Sequence, residues 1–430
     1  MPRLARAFRI ACWLGILPLA AGSARAGGFA LPDQTAWLLG AGGSGSARAN
    51  GAQAISSNVA GLAFAEDPEL SLGANLVLPM MSFDGQAPFP GVGVNEKQKL
   101  SPRFPPVVAF AQPLGRRLVA GVGVQVPFGL STQWANESSF TGRFVAQQVK
   151  LNCVTLTPAV GIRLADRLAV GGGLDINLVS VDVARIVPVI DPFTLRRIDG
   201  FAVHTDGQRQ TAVGFRVGLV ARLEGGLDVG VGYRSGTTLD VTGNVAFDRQ
   251  LTANAQLDNS LAQVVPPAAV PFSVGGKLPP VITAGLAYTW GPWAFSGDAA
   301  FMRWSQVGTV ELVPEGYPAL STVIARDYSD TVELRVGIER RLNDYWTVRG
   351  GYFHAPSPVP TDALSPVFVD ATGHGVTLGA TVRSGQWQCD FAPGVVLSGA
   401  RSTGGASPEG FDGSYDGTQL LLAVSVGRRF

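Results

Sequence analysis

Charge is scarce in this chain. Lys, Arg, Asp and Glu make up 15% of its 430 residues, against roughly 25% in an ordinary soluble domain. The 33 bases and 32 acids leave a formal net charge of +1, so there is no basic field of the kind a nucleic-acid binder needs. Lysine is rarer still: Lys97, Lys99, Lys150 and Lys277 are the only four, and every other base is Arg. Cysteine numbers three, Cys12, Cys153 and Cys389, too few for a small secreted disulfide scaffold and wrongly spaced for a zinc site. The three histidines, His204, His354 and His374, each fall alone in an expected loop without metal-ligand spacing. Beyond residue 26 no apolar run approaches the roughly 18 residues of a membrane helix. What is abundant is glycine, 55 residues, beside a hydrophobic fraction of 46%. That apolar content excludes a disordered chain, and that much glycine argues against a helical bundle.

The first residues are an address. Arg3, Arg6 and Arg9 precede an apolar stretch from Ile10 to Ala21, and Ala24-Arg25-Ala26 is an A-x-A cleavage signature. Residues 1–26 are therefore expected to be a secretory signal peptide removed after Ala26. Cleavage takes away four of the 33 bases and none of the 32 acids, which leaves the exported chain at −3. Cys153 and Cys389, the two cysteines that remain, fall on well-separated strands, so no disulfide is expected.

Along that chain the period is two. Leu118, Ala120, Val122, Val124, Val126 and Phe128 alternate with Val119, Gly121, Gly123 and Gln125. Val213, Phe215, Val217 and Leu219 alternate with Gly214, Arg216 and Gly218 in the same way. Such alternation marks strands with one apolar face. Three features favour a membrane barrel over a soluble sandwich. The strands run to about ten residues, the length that crosses a bilayer at a tilt. The second face carries Gly, Arg, Asp and Glu, a poor sandwich core but an ordinary barrel lumen. The connections alternate between tight and long. Tight turns are expected at Leu114-Gly115, Ala165-Asp166-Arg167, Glu224-Gly225-Gly226, Gly291-Pro292, Asn343-Asp344 and Ser384-Gly385. Long loops are expected at roughly 80–104, 129–148, 184–210, 248–278, 305–330, 355–374 and 399–417. Six turns join twelve strands, and one strand at each end makes fourteen. The expected fold is all-β: a 14-stranded antiparallel transmembrane β-barrel over 70–430, the even count of bacterial outer-membrane barrels. The terminal Phe430 is the usual insertion signal for the barrel-assembly machinery. Residues 27–69, rich in Gly, Ala and Ser, suit an N-terminal hatch plugging the lumen; a flexible periplasmic tail is the alternative.

Several local motifs then stand together: Gly27-Gly28-Phe29, Asn58-Val59-Ala60, Pro127-Phe128-Gly129-Leu130, Tyr233-Arg234-Ser235, Leu278-Pro279-Pro280 and Arg303-Trp304-Ser305. The most specific is Leu342-Asn343-Asp344-Tyr345-Trp346-Thr347-Val348-Arg349-Gly350-Gly351, followed by Ser357-Pro358-Val359-Pro360. In order and spacing the exported chain resembles the OMPP1/FadL/TodX family of outer-membrane transporters. Val59 replaces the proline of the family's Asn-Pro-Ala, and Val369-Asp370-Ala371-Thr372 stands where the family usually has Pro-Asp with a nearby Arg. The resemblance implies a 14-stranded barrel in the bacterial outer membrane, plugged by a hatch that includes Gly28, Asn58 and Ala60. It also implies passive uptake of long-chain fatty acids or similar hydrophobic molecules: capture among outer loops, transfer to a lumenal pocket beside the hatch, and lateral exit at a kink of the third strand. Aromatic hydrocarbons are the alternative substrate.

Pro127, Phe128 and Gly129 are the expected kink, since Pro127 removes a ladder donor and Gly129 tolerates bending; the alternative is a strand end entering a loop. Phe29 is placed to touch ligand or simply to pack. Trp134, Phe140 and Phe144, with Phe83 and Phe89, could line the outer groove, or pack on each other or on lipopolysaccharide. Arg185 stands where the family carries a basic ligand contact, and Arg326 lies two residues from a second such position; a bidentate carboxylate contact competes there with ion pairing inside the lumen. No P-loop or nucleophile elbow is present, and neither a cofactor nor a metal is expected. An outer-membrane lipase or a structural or adhesive barrel is the rival class. The expected partners are a hydrophobic small molecule and outer-membrane lipid, with the barrel acting as a monomer.

Overall fold

A computed structural model describes residues 27–31, 35–252, 254–266, 268–325 and 327–430. The expected signal peptide and Arg326 lie outside the described residues. Fourteen strands form the ring: β1 Glu69–Gly85, β2 Pro106–Pro113, β3 Leu118–Gln133, β4 Gln148–Ala165, β5 Leu168–Ile190, β6 Gln210–Arg222, β7 Leu227–Arg234, β8 Val281–Trp290, β9 Trp293–Met302, β10 Thr331–Arg341, β11 Trp346–Ala355, β12 Gly373–Ser384, β13 Trp387–Ser402 and β14 Gly413–Arg429. Each pairs antiparallel with the next. β14 closes on β1 from Glu69↔Arg429 to Gly85↔Gly413. Closure removes the free outer edges that an open sheet would present to lipid. All six expected tight turns fall between strands of the ring.

The two faces divide as the alternation requires. Leu286, Val336 and Leu378 point outward and are 57%, 53% and 62% exposed, whereas Arg216, Asp298 and Arg349 point inward and are 6%, 6% and 5% exposed. At the short-turn end the exposed Trp290, Tyr345, Trp387 and Phe430 form an aromatic girdle. The Arg340 guanidinium lies 4.8 Å over Trp293, and that of Arg428 lies 5.2 Å from Trp387 and 4.7 Å from Phe430.

The long connections are more ordered than expected. Five further strands, Asn95–Lys97, Arg197–Gly207, Val270–Leu278, Val310–Pro314 and Thr322–Ala325, lie within the loops that the sequence suggested, and a sixth, Thr237–Arg249, occupies the stretch before the expected loop 248–278, where the sequence suggested a continuing ring strand. β5 forks: Leu168 to Val179 pairs with β6, while Ala184 to Ile190 pairs with Arg197–Gly207. From there Thr237–Arg249, Val270–Leu278, Val310–Pro314 and Thr322–Ala325 continue outward as a second wall above the ring.

Residues 35–65 sit against the inner faces of the strands. Thr35 caps the short helix Ala36–Gly40, accepting from the Leu38 N–H at 3.2 Å. Asn58 caps the 3-10 turn Val59–Phe64 through the Ala60 N–H at 3.2 Å. Its amide also donates to Ser46 O (2.9 Å), Leu219 O (3.0 Å) and Val231 O (3.3 Å), tying the segment to β6 and β7. Asp298 accepts from the Gly45 and Ser46 N–H groups at 3.0 and 2.9 Å, and Arg48 pairs with Glu339 at 3.0 Å.

Much of the chain's glycine is explained here. A Cβ on Gly161 would lie 2.5 Å from Ala63 N, on Gly171 2.5 Å from Val59 O, on Gly337 2.6 Å from Ala41 O and on Gly379 2.8 Å from the Gly40 Cα. Gly218, Gly230 and Gly351 are crowded in the same way by Asn58, Ser46 and Gly42. A ring of inward glycines lets segment backbone lie directly on strand backbone.

Candidate functional site

β3 carries the irregularity on which the site is built. Its register with β4 is regular down to Gln125↔Thr155 and resumes at Phe128↔Cys153, so β3 holds one extra residue at Val126-Pro127. This is a β-bulge, and it resets which face each side chain takes. Strict alternation put Phe128 on the outer face with Leu118 and Val126; the bulge turns it inward, and Phe128 is 2% exposed.

On its other side β3 loses its partner. Pairing with β2 reaches Val108↔Val124 and stops, and the chain before it runs through Pro105 and Pro106, neither of which has an N–H to donate. The N-terminal residues supply part of the missing pairing. The Leu31 N–H donates to Pro127 O at 3.0 Å and the Gly129 N–H donates to Phe29 O at 2.9 Å. A cavity of about 240 Å³ opens beside this stretch. Leu31, Val77, Arg103 and Leu130 line it, and so do Phe104, Asn152 and Val154, which belong to the outer face. The cavity therefore draws its lining from both faces of the wall between β1 and β3.

Phe29 sits at the inner end, 8% exposed. Its ring lies 4.7 Å from Trp304, 5.7 Å from Phe128 and 6.4 Å from both Tyr328 and Phe368. Burial pushes the Tyr328 phenol well above its ordinary value, with the nearby Asp370 charge acting in the same sense. Gly28 has φ +68° and packs so close that a Cβ would meet Trp304 at 2.7 Å. Its N–H donates to the Asp370 carboxylate, 3.3 Å from Oδ2, and the Ser357 hydroxyl donates to the same oxygen at 2.6 Å. Arg401, from β13, donates to Ser357 Oγ at 2.8 Å and Asp370 O at 3.2 Å. The segment Val369-Asp370-Ala371-Thr372 thus finds its arginine 31 residues away, across a strand boundary, where no local sequence signal marks it.

Arg185 lies on the upper part of β5 and points inward, donating to Leu320 O and Ser321 O at 3.1 Å each. Its Nε–H is buried without an acceptor, and no carboxylate among the described residues pairs with it. Three other lumenal cations are paired with carboxylates, whereas Arg163 shares with Arg185 a buried Nε–H that has no acceptor. Arg216 binds Asp175 through two bonds of 2.8 and 2.9 Å, Arg335 pairs with Glu333 at 3.0 Å and Arg349 with Glu339 at 2.6 Å. Arg163 donates to Ala63 O, and the Arg234 guanidinium lies 4.5 Å over Phe128. An apolar chamber lies beside Phe29, lined by Leu130, Val149, Val181, Val241, Val274 and Tyr328.

The outer aromatics pack on each other. Trp134 and Phe140 are fully buried and stacked at 4.5 Å, within a cluster that includes Phe83, Phe411 and Tyr415. Phe144 lies under the Arg143 guanidinium at 4.5 Å. The histidines correct the sequence reading. His354 and His374 stand opposite each other on β11 and β12 with rings 4.8 Å apart, and His374 Nδ1 is 2.7 Å from the Tyr352 hydroxyl. His204 lies in the strand Arg197–Gly207. Among the described residues no group of three or more His, Cys, Asp or Glu could hold a metal. Cys153 and Cys389 are free, the first buried and the second exposed.

Comparison with known proteins agrees with this architecture. A sequence profile of the family described as "Outer membrane protein transport protein (OMPP1/FadL/TodX)" matches residues 17–430. A long-chain fatty acid transport protein of Salmonella typhi is 23% identical over 378 residues, 82% of this chain and 83% of that one. Among solved structures, a Pseudomonas aeruginosa FadL homologue superimposes with a TM-score of 0.81 at 17% identity, over 94% of this chain and 100% of the other. The Ralstonia pickettii toluene transporter TbuX does so with a TM-score of 0.69 at 20% identity, over 94% and 99%. The chain belongs to the OMPP1/FadL/TodX family: it is an outer-membrane β-barrel transporter for hydrophobic compounds, not an enzyme.

Proposed function

We propose that this barrel takes up long-chain fatty acids, with residues 27–69 as the hatch and the wall opening at the β3 bulge as the lateral exit. The observation that carries the choice of substrate is Arg185. A buried guanidinium with an unused Nε–H and no carboxylate partner is poised for an anion that arrives with the ligand. An aromatic hydrocarbon would leave it uncompensated. Below it, the apolar chamber beside Phe29 suits an alkyl tail, at about 0.8 kcal/mol for each CH₂ removed from water. Passage through the wall keeps that tail out of water, whereas an aqueous pore would forfeit the gain.

The test is uptake of labelled oleate in cells lacking their own fatty-acid transporter. Arg185→Ala should lower uptake by about fivefold or more, as expected for loss of one charge-assisted contact, at equal surface level and with the boiling-dependent gel shift of a folded barrel retained. A wild-type chain that raises toluene uptake but not oleate uptake would turn the reading toward hydrocarbons.

The hatch is held at its tip by Asp370. Asp370→Ala removes the acceptor for the Gly28 N–H and the Ser357 hydroxyl, at a cost of about 1–3 kcal/mol for the groups left unsatisfied. Residues 27–31 should then detach more often. A thiol reagent should label Phe29→Cys in a Cys389→Ser background several-fold faster when Asp370 is Ala, and equal labelling rates would show that Asp370 does not hold the tip.

A further inference from the structure

Arg103 is another cation without a carboxylate, and it stands in the proposed wall opening itself. Its backbone pairs with Val77 of β1 in both directions, at 2.9 and 3.0 Å. Its guanidinium reaches across the gap left by β2 to Ser131 Oγ on β3. Arg103 lines the cavity in the wall, whose lining is mostly apolar (Leu31, Val77, Leu130 and Val154) with Ser131, Asn152 and Gln419 as its uncharged polar side chains. Its Nε–H is buried without an acceptor, and among the described residues no carboxylate pairs with it. A half-buried cation whose Nε–H has no acceptor is stabilised when an anion joins it, and ionisable groups at membrane depth mark ligand paths.

We infer that Arg103 binds the carboxylate of the departing ligand at the lateral exit and so makes the opening selective for anionic amphiphiles. This rests on the fatty-acid reading above and adds a specificity determinant to it. A fatty acid whose tail has entered the bilayer still has to bring its head group through a low-dielectric wall. An unpaired carboxylate there would bear the full desolvation penalty. The free Nε–H edge of Arg103 offers it a charge-assisted contact while another edge stays on Ser131, a division that the planar guanidinium allows. Arg185 and Arg103 then mark the two ends of one path, the first above the lumenal chamber and the second in the wall.

The experiment compares oleate with oleyl alcohol, which shares the tail and lacks the charge, in cells expressing the full barrel. Arg103→Gln should lower the oleate-to-alcohol uptake ratio about fivefold or more, and Arg103→Lys, which keeps the charge, should recover at least half of the wild-type ratio. Retention of the boiling-dependent gel shift shows that both variants are folded. Equal losses for the two compounds would mean that Arg103 merely braces the wall, and an unchanged ratio would mean that the head group does not meet it; either overturns the inference and leaves the fatty-acid reading standing. A wild-type chain that carries the alcohol but not oleate overturns both.

Discussion

Deletion of Pro127 should abolish uptake while leaving a folded barrel. The bulge places three steps of β3, from Gln125 to Phe128, against two of β4, from Thr155 to Cys153. Removing one residue restores one-to-one pairing, and removing this one also restores the N–H that the ladder lacks. β3 then straightens across the stretch that now borders the cavity, and Phe29 and Leu31 lose the main-chain sites they bond at Gly129 and Pro127. Oleate uptake should fall about tenfold or more, which corresponds to only about 1.4 kcal/mol at the limiting step. Stability should hold, since the ladder gains regular pairing with β4 while the two N-terminal hydrogen bonds are lost. Undiminished uptake with the bulge removed would place the exit elsewhere.

The second large effect is expected at Gly351. A Cβ there would run into the Gly42 backbone and the Ala41 carbonyl carbon, and neither can move as a side-chain tip would. Gly351→Val should therefore cost about 3 kcal/mol or more, at the upper end for overpacking. Either the ring fails to assemble or the N-terminal segment is displaced. The two results separate on a gel and in a leak assay. A chain that no longer shifts on boiling has not folded, whereas a barrel that shifts but admits a hydrophilic antibiotic has lost its filling. The same change at Gly291, in a tight turn with nothing within 4 Å of the added Cβ, adds only the local strain of a residue at φ +57° and should leave the filling in place.

The ring was legible because its signals are local. A two-residue alternation and a tight turn with Gly or Asp can each be read inside a window of ten residues, so Val213 to Tyr233, with its turn at Glu224-Gly225-Gly226, could be parsed without knowing what lies beside it. The second wall was hidden for the opposite reason. Ala184 to Ile190 leaves its barrel neighbour for Arg197–Gly207, and a fork in pairing has no mark along the chain. Phe128 was placed on the wrong face because a single inserted residue reverses the parity of all that follows it. His354 and His374 looked solitary because only the β11–β12 register brings them together. Arg401 could not be connected with Asp370 by inspection, since the contact crosses from a strand to a loop. Arg185 was singled out by resemblance alone; its lack of an acidic partner is visible only once the surrounding carboxylates have been placed.

The glycine-lined interior also bears on how the channel could be emptied. Where knobs of one element lock into holes of another, withdrawal must break every lock together. Here the bore is smooth at many of the contacts, with main chain resting on main chain, and the segment is held by apolar packing of Ile55, Val59, Leu62 and Phe64 together with discrete polar ties that include Asn58 to β6 and β7, Asp298 to Gly45 and Ser46, Arg48 to Glu339, and Asp370 to Gly28. For the hatch proposed above, this arrangement predicts loosening one tether at a time from the tip, while the sleeve around it keeps its shape.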